Sequence, residues 1–400
     1  MENGKWSLPG VIEKGLGDTM DRAKINDKQI ELNKKLASLL TKYGIKNVRI
    51  TSMGNSIGSG FSMVRTTKPL LLRNTTLSSI LSDQNIELDV HHFARAQNNS
   101  DEHMVEWLEK NIKESEVHEM NRSDYSGEAT SLPTHITKEE LEEYYPINKV
   151  NDIGLKDSIL EKDEELANIV IYNGATGSFL DGLTRHGTLK QQMIHGVKRD
   201  LSSIESVLKV IQINNREGKS DTQVYLCGAP NFLGLGISNI INKKIKKIAD
   251  KYANVVYVEP IKSKMFYQKM DENGMDISGK GIDIHYDEKE YEAFNNNIIS
   301  TINDNFEISK AMIELDRNFY NLNKDMELYN KDLVSNDEER KIIISKEIKS
   351  KAEKIKNQRQ RFIFLKRLKK YVTERFPYDF VYLGKKQIYD PIKDERKKTK

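Results

Sequence analysis

Ser56 lies in a turn that could present a nucleophile. The turn, MGNSIGSG (residues 53–60), follows the β-branched run VRITS and precedes a predicted helix. A serine between a strand and a helix can hold its hydroxyl at a sheet edge, but it needs a base to accept its proton. His285, in GIDIHY (residues 281–286), is the candidate base. Asp283, two residues earlier, is the candidate to orient the imidazole.

The elements that must position these side chains alternate along the chain. Near-helical spacing of apolar residues predicts helices over residues 27–43, 104–112, 189–214 and 241–252. Strands are predicted in VRITSMG, at residues 86–93, and in ANIVIYN, TQVYLC and ANVVYV. This alternation predicts a three-layer α/β/α sandwich with a mainly parallel sheet. The polar clusters GNSIGSG, ARAQNNSD and NGATGS follow three of these strands, where such sheets bind ligands.

The chain divides into four predicted parts. Residues 1–45 form a polar lead-in and a helix, and residues 46–306 form the α/β domain. The polar, weakly patterned segment at about 115–165 is interpreted as an insertion on the surface of that domain. Residues 307–375 are predicted to form a helical hairpin, and residues 376–400 a basic tail.

A heptad pattern supports the hairpin. Apolar residues in steps of four and three run from Ile308 to Leu333, and a second helical pattern runs from Ile344 to Leu365. Two arrangements are open at this point. The hairpin folds back on its own domain, or it forms a homo-oligomer through the seam. Because its pattern contains no candidate nucleophile, acid or base, we expect it to be separable from catalysis.

The order of the chemical blocks resembles that of the SGNH (GDSL-type) hydrolases. That family has a Gly-Asp-Ser-Leu-like turn near the start of its domain and a late Asp/His pair that leads into the last helix. The resemblance covers about residues 46–304 and implies the flavodoxin-like SGNH fold. It also implies that His285 takes the proton of Ser56, that an acyl-enzyme forms, and that Asp283 orients the base. Asp283 stands two residues before His285, where the family has three.

The resemblance further implies hydrogen-bond donors for the oxyanion of acyl transfer. The Ser56 N–H is one donor, and the family's second block, which aligns here with Asn99, supplies a backbone N–H. The third block normally reads Gly-x-Asn and supplies an amide side chain. Asn173 has the expected residue type and Thr176 the expected spacing, so both are candidates.

Composition narrows the partners. The 63 basic residues nearly balance the 60 acidic ones, so nucleic-acid binding is not predicted. One cysteine permits no internal disulfide, and the sequence has neither metal-ligand spacing nor a phosphate-binding glycine loop. We therefore expect no metal and no cofactor. The sequence also lacks a signal-peptide pattern and an apolar span, so we expect a cytoplasmic protein without a membrane span.

The predicted function follows from the resemblance: hydrolysis of a small acyl ester, such as an O-acetyl group on a carbohydrate. Arg65 and Lys68 follow the nucleophile and are candidates to bind an anionic substrate group, the alternative being a solvated surface. Two other functions stay open. A non-catalytic SGNH-like adaptor would fit the altered oxyanion blocks and the heptad seam. An O-acyltransferase would use the same acyl-enzyme with a sugar acceptor in place of water.

Overall fold

A parallel sheet forms the centre of the molecule. The computed structural model describes residues 22–55, 74, 76–95, 100–125, 152–174, 189–230, 237–261, 286, 288–329, 346, 348–355 and 357–375. Within these ranges, five strands form one sheet in which every pair is parallel. The strands are Asn47–Gly54 (β1), Glu87–Ala94 (β2), Leu166–Asn173 (β3), Gln223–Cys227 (β4) and Val255–Val258 (β5).

Helices connect and cover the strands. The first five are Arg22–Lys42 (α1), Leu77–Ser82 (α2), Ser100–Lys110 (α3), Glu114–Tyr125 (α4) and Leu155–Ile159 (α5). The others are Leu189–Arg216 (α6), Ile237–Ala249 (α7), Glu288–Tyr329 (α8) and Gln358–Arg375 (α9). In the part of the chain that the structure describes, no helix is long and apolar enough to cross a membrane.

The strand order is β2-β1-β3-β4-β5. The chain leaves β1 for β2 on one side and then crosses to β3 on the other side of β1. Seven of the eight residues of β3 are buried, because helices cover both faces of a parallel sheet. Doubly wound sheets bind ligands in a crevice where the direction of the strand order reverses, so we expect such a crevice at the carboxyl ends of β1 and β3.

Two apolar cores lie on opposite faces of this sheet. One is formed with α3 to α7, and its members include Trp107, Ile204 and Ile245. The other is formed with α1, α2 and α8, and its members include Leu36 and Phe294. The predicted α/β class with a parallel sheet is therefore confirmed, and helices lie on both of its faces.

The two described ends of the predicted insertion at about 115–165 contain helices that pack against the domain. Helices α4 and α5 fall inside it, and Val117, Leu155 and Ile159 are fully buried in the first core. Helix α4 also covers the free edge of β2, because the Glu114 carboxylate accepts the backbone N–H of His92 at 2.8 Å. Since α4 is mostly polar, its sequence gives too few apolar positions to show a helical period.

The predicted boundary between residues 306 and 307 falls inside α8, which continues through it without a break. The seam residues Ile308, Met312, Leu315 and Phe319 are buried in a third core that they share with α9 and with Ala253. The heptad seam therefore marks a change of packing partner along one helix. Residues 348–354 are helical, but α9 begins only at Gln358, so the predicted second helix is interrupted.

Arg367 connects α9 directly to the sheet. Its guanidinium donates to the carbonyls of Ala253 and Val255 at 2.9 and 2.6 Å, and to Ser309 Oγ at 3.1 Å. Burial lowers its pKa to about 10, and nearby Tyr225 and Asp250 act in the opposite direction. In the described residues, α8 and α9 therefore pack against the α/β domain of the same chain, and the predicted hairpin and its homo-oligomer stay predictions.

Candidate active site

The carboxyl ends of the five strands form a level row. The register pairs Gly54 with both Ala94 and Asn173, Asn173 with Cys227, and Cys227 with Val258. The backbone N–H of the residue after β1, Asn55, donates to Asn173 O at 2.8 Å, so the pairing of β1 with β3 extends one residue past β1. The loops that follow these strands therefore start from fixed and neighbouring positions.

Gly54 permits the close approach of β1 to β3. Its φ is +116°, in the region that favours glycine, and a Cβ at this position would lie 1.9 Å from Asn173 O. An alanine would therefore push the two strand ends apart. The glycine that the sequence places two residues before Ser56 has a physical role in joining the two polar loops at the switch point.

Asn173 ends β3 in this crevice with an unused donor. It is 3% exposed, and its Nδ2 is buried without a hydrogen-bond partner in the part of the chain that the structure describes. A buried amide donor without a partner costs about 1–3 kcal/mol, and an acceptor atom of a ligand bound at this edge of the sheet would remove that cost. An amide N–H at this place is a suitable donor to a developing oxyanion.

Two residues at the edge can be assigned to the core. Burial raises the pKa of the Cys227 thiol, so the thiolate needed for nucleophilic chemistry is disfavoured. Tyr286 is 1% exposed and packs against Tyr291 and Phe294, with ring centroids 5.4 and 5.3 Å apart. It shares its core with Cys227 and Val258, and burial raises its phenol pKa, with Tyr291, Glu290, Cys227 and Tyr257 acting in the same direction.

Of the predicted site residues, the structure describes Asn173, which lies at the switch point beside Asn55. The others lie outside the described residues: Ser56, Arg65, Lys68, Asn99, Thr176, Asp283 and His285. Ser56 is bonded to Asn55, which is 2% exposed and anchored to β3. His285 is bonded to Tyr286, which packs in the core beneath β4 and β5.

The histidines of β2 lie away from this crevice. His91 is 1% exposed and lies between two carboxylates, with Nδ1 2.9 Å from Glu114 and Nε2 2.8 Å from Asp89. Burial alone lowers its pKa, but these two carboxylates raise the pKa of His91 to about 9. His92 is buried beside His118, and burial and that neighbour lower its pKa to about 3. Both histidines therefore belong to the packing of α4 against the sheet.

No metal site accompanies the crevice in the described ranges, where no three His, Cys, Asp or Glu side chains are grouped to hold an ion. The backbone role of Asn55 has no signal in the sequence, because the register that brings it to Asn173 is a property of the folded sheet.

The chain matches no protein-family model, and comparisons with curated proteins and with solved structures give no significant match.

Proposed function

We propose that this chain is a serine esterase or deacylase that hydrolyses a small acyl ester, with an O-acetylated carbohydrate as the preferred candidate. The observation that carries the proposal is the buried Nδ2 of Asn173 at the switch point of the sheet, which has no hydrogen-bond partner among the described residues. The residue that precedes the candidate nucleophile is hydrogen-bonded to Asn173 itself. Acyl transfer requires a hydrogen-bond donor near the nucleophile that stabilises the oxyanion, and the Asn173 amide is a candidate for that donor.

The proposed reaction has two steps. Ser56 attacks the ester carbonyl while His285 accepts the serine proton, and His285 then donates that proton to the departing alcohol. Asp283 orients the imidazole and stabilises its charged form. The Asn173 amide and the backbone N–H groups of Ser56 and Asn99 donate to the oxyanion, with Thr176 as the alternative to Asn173. Water, activated by His285 as the base, then attacks the acyl-enzyme. His285 returns the proton to Ser56, which releases the acid and regenerates the serine.

Substrate binding is proposed for the segment after the nucleophile. Arg65 and Lys68 would bind an anionic group of the substrate, and neither residue takes part in the proton transfers. No cofactor or metal enters this scheme. The proposal places the chain in the SGNH hydrolase family, whose block order its sequence resembles.

The side chain of Asn173 provides the test. Asn173→Ala should lower kcat for p-nitrophenyl acetate by about 10²- to 10³-fold, which is the usual cost of one lost oxyanion donor. Its stability should change little, because Nδ2 makes no hydrogen bond to any of the described residues. The urea midpoint and kcat should be measured on the same preparation.

Asn168 offers a matched control on the same strand. It is 4% exposed, and within the described ranges neither its Nδ2 nor its Oδ1 has a hydrogen-bond partner. It lies about 16 Å before Asn173 along β3 and on the opposite face of the sheet. Asn168→Ala should keep the wild-type kcat. If both variants lose activity equally, or if Asn173→Ala loses none, the oxyanion role of Asn173 is refuted.

A further inference from the structure

The exposed face of α7 combines one apolar side chain with a cluster of lysines. Ile240 is 58% exposed, the largest value among the exposed large hydrophobic side chains of the described residues. Lys243, Lys244 and Lys247 are also exposed. Their positions, three, four and seven residues after Ile240, lie on the same side of a helix within about 60° of it. Ile241, Ile245 and Ile248 lie about 80–140° around the helix from Ile240 and form its buried side.

Among the described residues, three carboxylates that pair with lysines of or next to α7, or belong to its end, are already engaged with cations other than these three lysines. Glu259 contacts Lys246 at 2.5 Å, and Glu205 contacts Lys251 at 2.6 Å. Asp250 is paired with Lys370 of α9. None of these carboxylates is therefore left to neutralise the three exposed lysines. The face is positively charged in a chain whose overall net charge is only +3.

The face also has a defined place relative to the candidate site. The side chain of Asn242 accepts from Ala229 N at 2.7 Å and donates to Ala229 O at 2.9 Å. Ala229 follows the carboxyl end of β4 by two residues, so the beginning of α7 is attached to the edge of the sheet that holds the crevice. Ile240, two residues before Asn242, therefore lies at the same end of the molecule as Asn55 and Asn173.

We propose that this face of α7 binds an anionic lipid surface, with Ile240 inserted among the acyl chains and the lysines at the headgroups. An apolar side chain flanked by lysines on one helix face is the arrangement of interfacial helices, and each lysine near such a surface contributes about 1 kcal/mol. Nucleic acid would use the same positive charge but gives no role to an exposed isoleucine. The proposal does not depend on the identity of the nucleophile.

Co-sedimentation with vesicles tests the proposal on the full chain. The wild type should bind phosphatidylcholine vesicles that contain phosphatidylserine and should not bind pure phosphatidylcholine. Lys243→Gln, Lys244→Gln and Lys247→Gln combined should weaken binding about 100-fold, because three lysine contributions are lost. All three side chains are exposed, so circular dichroism should show an unchanged fold.

The matched control changes three exposed lysines of α1, on the opposite face of the sheet. Lys24→Gln, Lys28→Gln and Lys34→Gln combined alter the net charge equally and should leave vesicle binding intact. Relative to the wild type, which has two tryptophans of its own, Ile240→Trp should gain a blue-shifted emission that appears only with anionic vesicles. Equal losses in the two triple variants, an unshifted tryptophan, or tighter binding to duplex DNA than to the anionic vesicles would overturn the proposal.

Discussion

Replacing Asp316 with alanine should destabilise the whole chain, because this carboxylate joins three helices. It is 3% exposed on α8 and accepts two hydrogen bonds of 2.9 Å from Arg216, the last residue of α6. Gln212 donates to it at 3.2 Å, and the Tyr371 hydroxyl of α9 also donates to it. Burial alone lowers the pKa of Arg216, but the Asp316 carboxylate raises it above its ordinary value, so the guanidinium is charged.

The expected loss follows from the charge that would remain. Arg216 has a side chain only 14% exposed, and without Asp316 it would be left without the carboxylate of its ion pair. Removing one partner of a buried ion pair costs about 3–5 kcal/mol. Asp316→Ala should therefore lower the free energy of unfolding by that amount. Urea denaturation followed by far-ultraviolet circular dichroism measures it.

Asp304, on the same helix, is the control. It pairs with Lys35 at 3.2 Å, and both side chains are more than half exposed. Exposed ion pairs contribute at most about 1 kcal/mol, so Asp304→Ala should be nearly neutral. If the two variants unfold at the same urea concentration, α8 and α9 are not held to α6 by this cluster. That result would support the expectation that the C-terminal helices are separable from the domain.

Two further predictions concern the sheet. Because the folded pKa of His91, about 9, lies above its ordinary 6.5, its ion pairs stabilise the chain fully below pH 6.5 and lose that contribution as the pH rises to 9. His91→Gln should therefore have a lower free energy of unfolding than the wild type at pH 6.5, and this difference should shrink as the pH rises to 9 in urea titrations. A difference that stays constant with pH would contradict this. Gly54→Ala should cost about 2 kcal/mol or more, from its positive φ and the contact with Asn173 O, and should also reduce esterase activity. Wild-type stability in this variant would show that β1 and β3 tolerate a wider spacing.

The sheet was accessible from the sequence because its strands are short apolar runs bounded by turn residues. Strands of a parallel sheet are covered on both faces, so their sequences are rich in apolar and β-branched residues, as VRITSMG and ANIVIYN are. The structure gives the corresponding strands as Asn47–Gly54 and Leu166–Asn173. Helix α4 could not be predicted from the sequence, because single residues such as Val117 and Glu114 make its contacts with the domain. Glu114 bonds to the neighbouring strand and Val117 lies in the core, and a hydrophobic periodicity does not reveal such single contacts.

The candidate site was predictable in its location but not in its contacts. Polar loops after β1 and β3 indicate a crevice at the carboxyl edge, since parallel strands end together there. The contact of Asn55 with Asn173 depends on strand order and register, and these are set by tertiary packing. The continuity of α8 was hidden for a related reason. A helix that changes its packing partner at Ile308 has the same sequence pattern as two successive helices.

Labelling of Ser56 by a fluorophosphonate probe tests the central claim most directly, because only an activated serine is phosphonylated. The wild type should be labelled at Ser56, as identified by peptide mass spectrometry, and should hydrolyse p-nitrophenyl acetate. Ser56→Ala should lose both properties and keep its fold, whereas Ser59→Ala, in the same glycine-rich turn, should keep both. A wild type that fails to label, or a Ser56→Ala variant with the wild-type hydrolysis rate, would contradict the serine-hydrolase account.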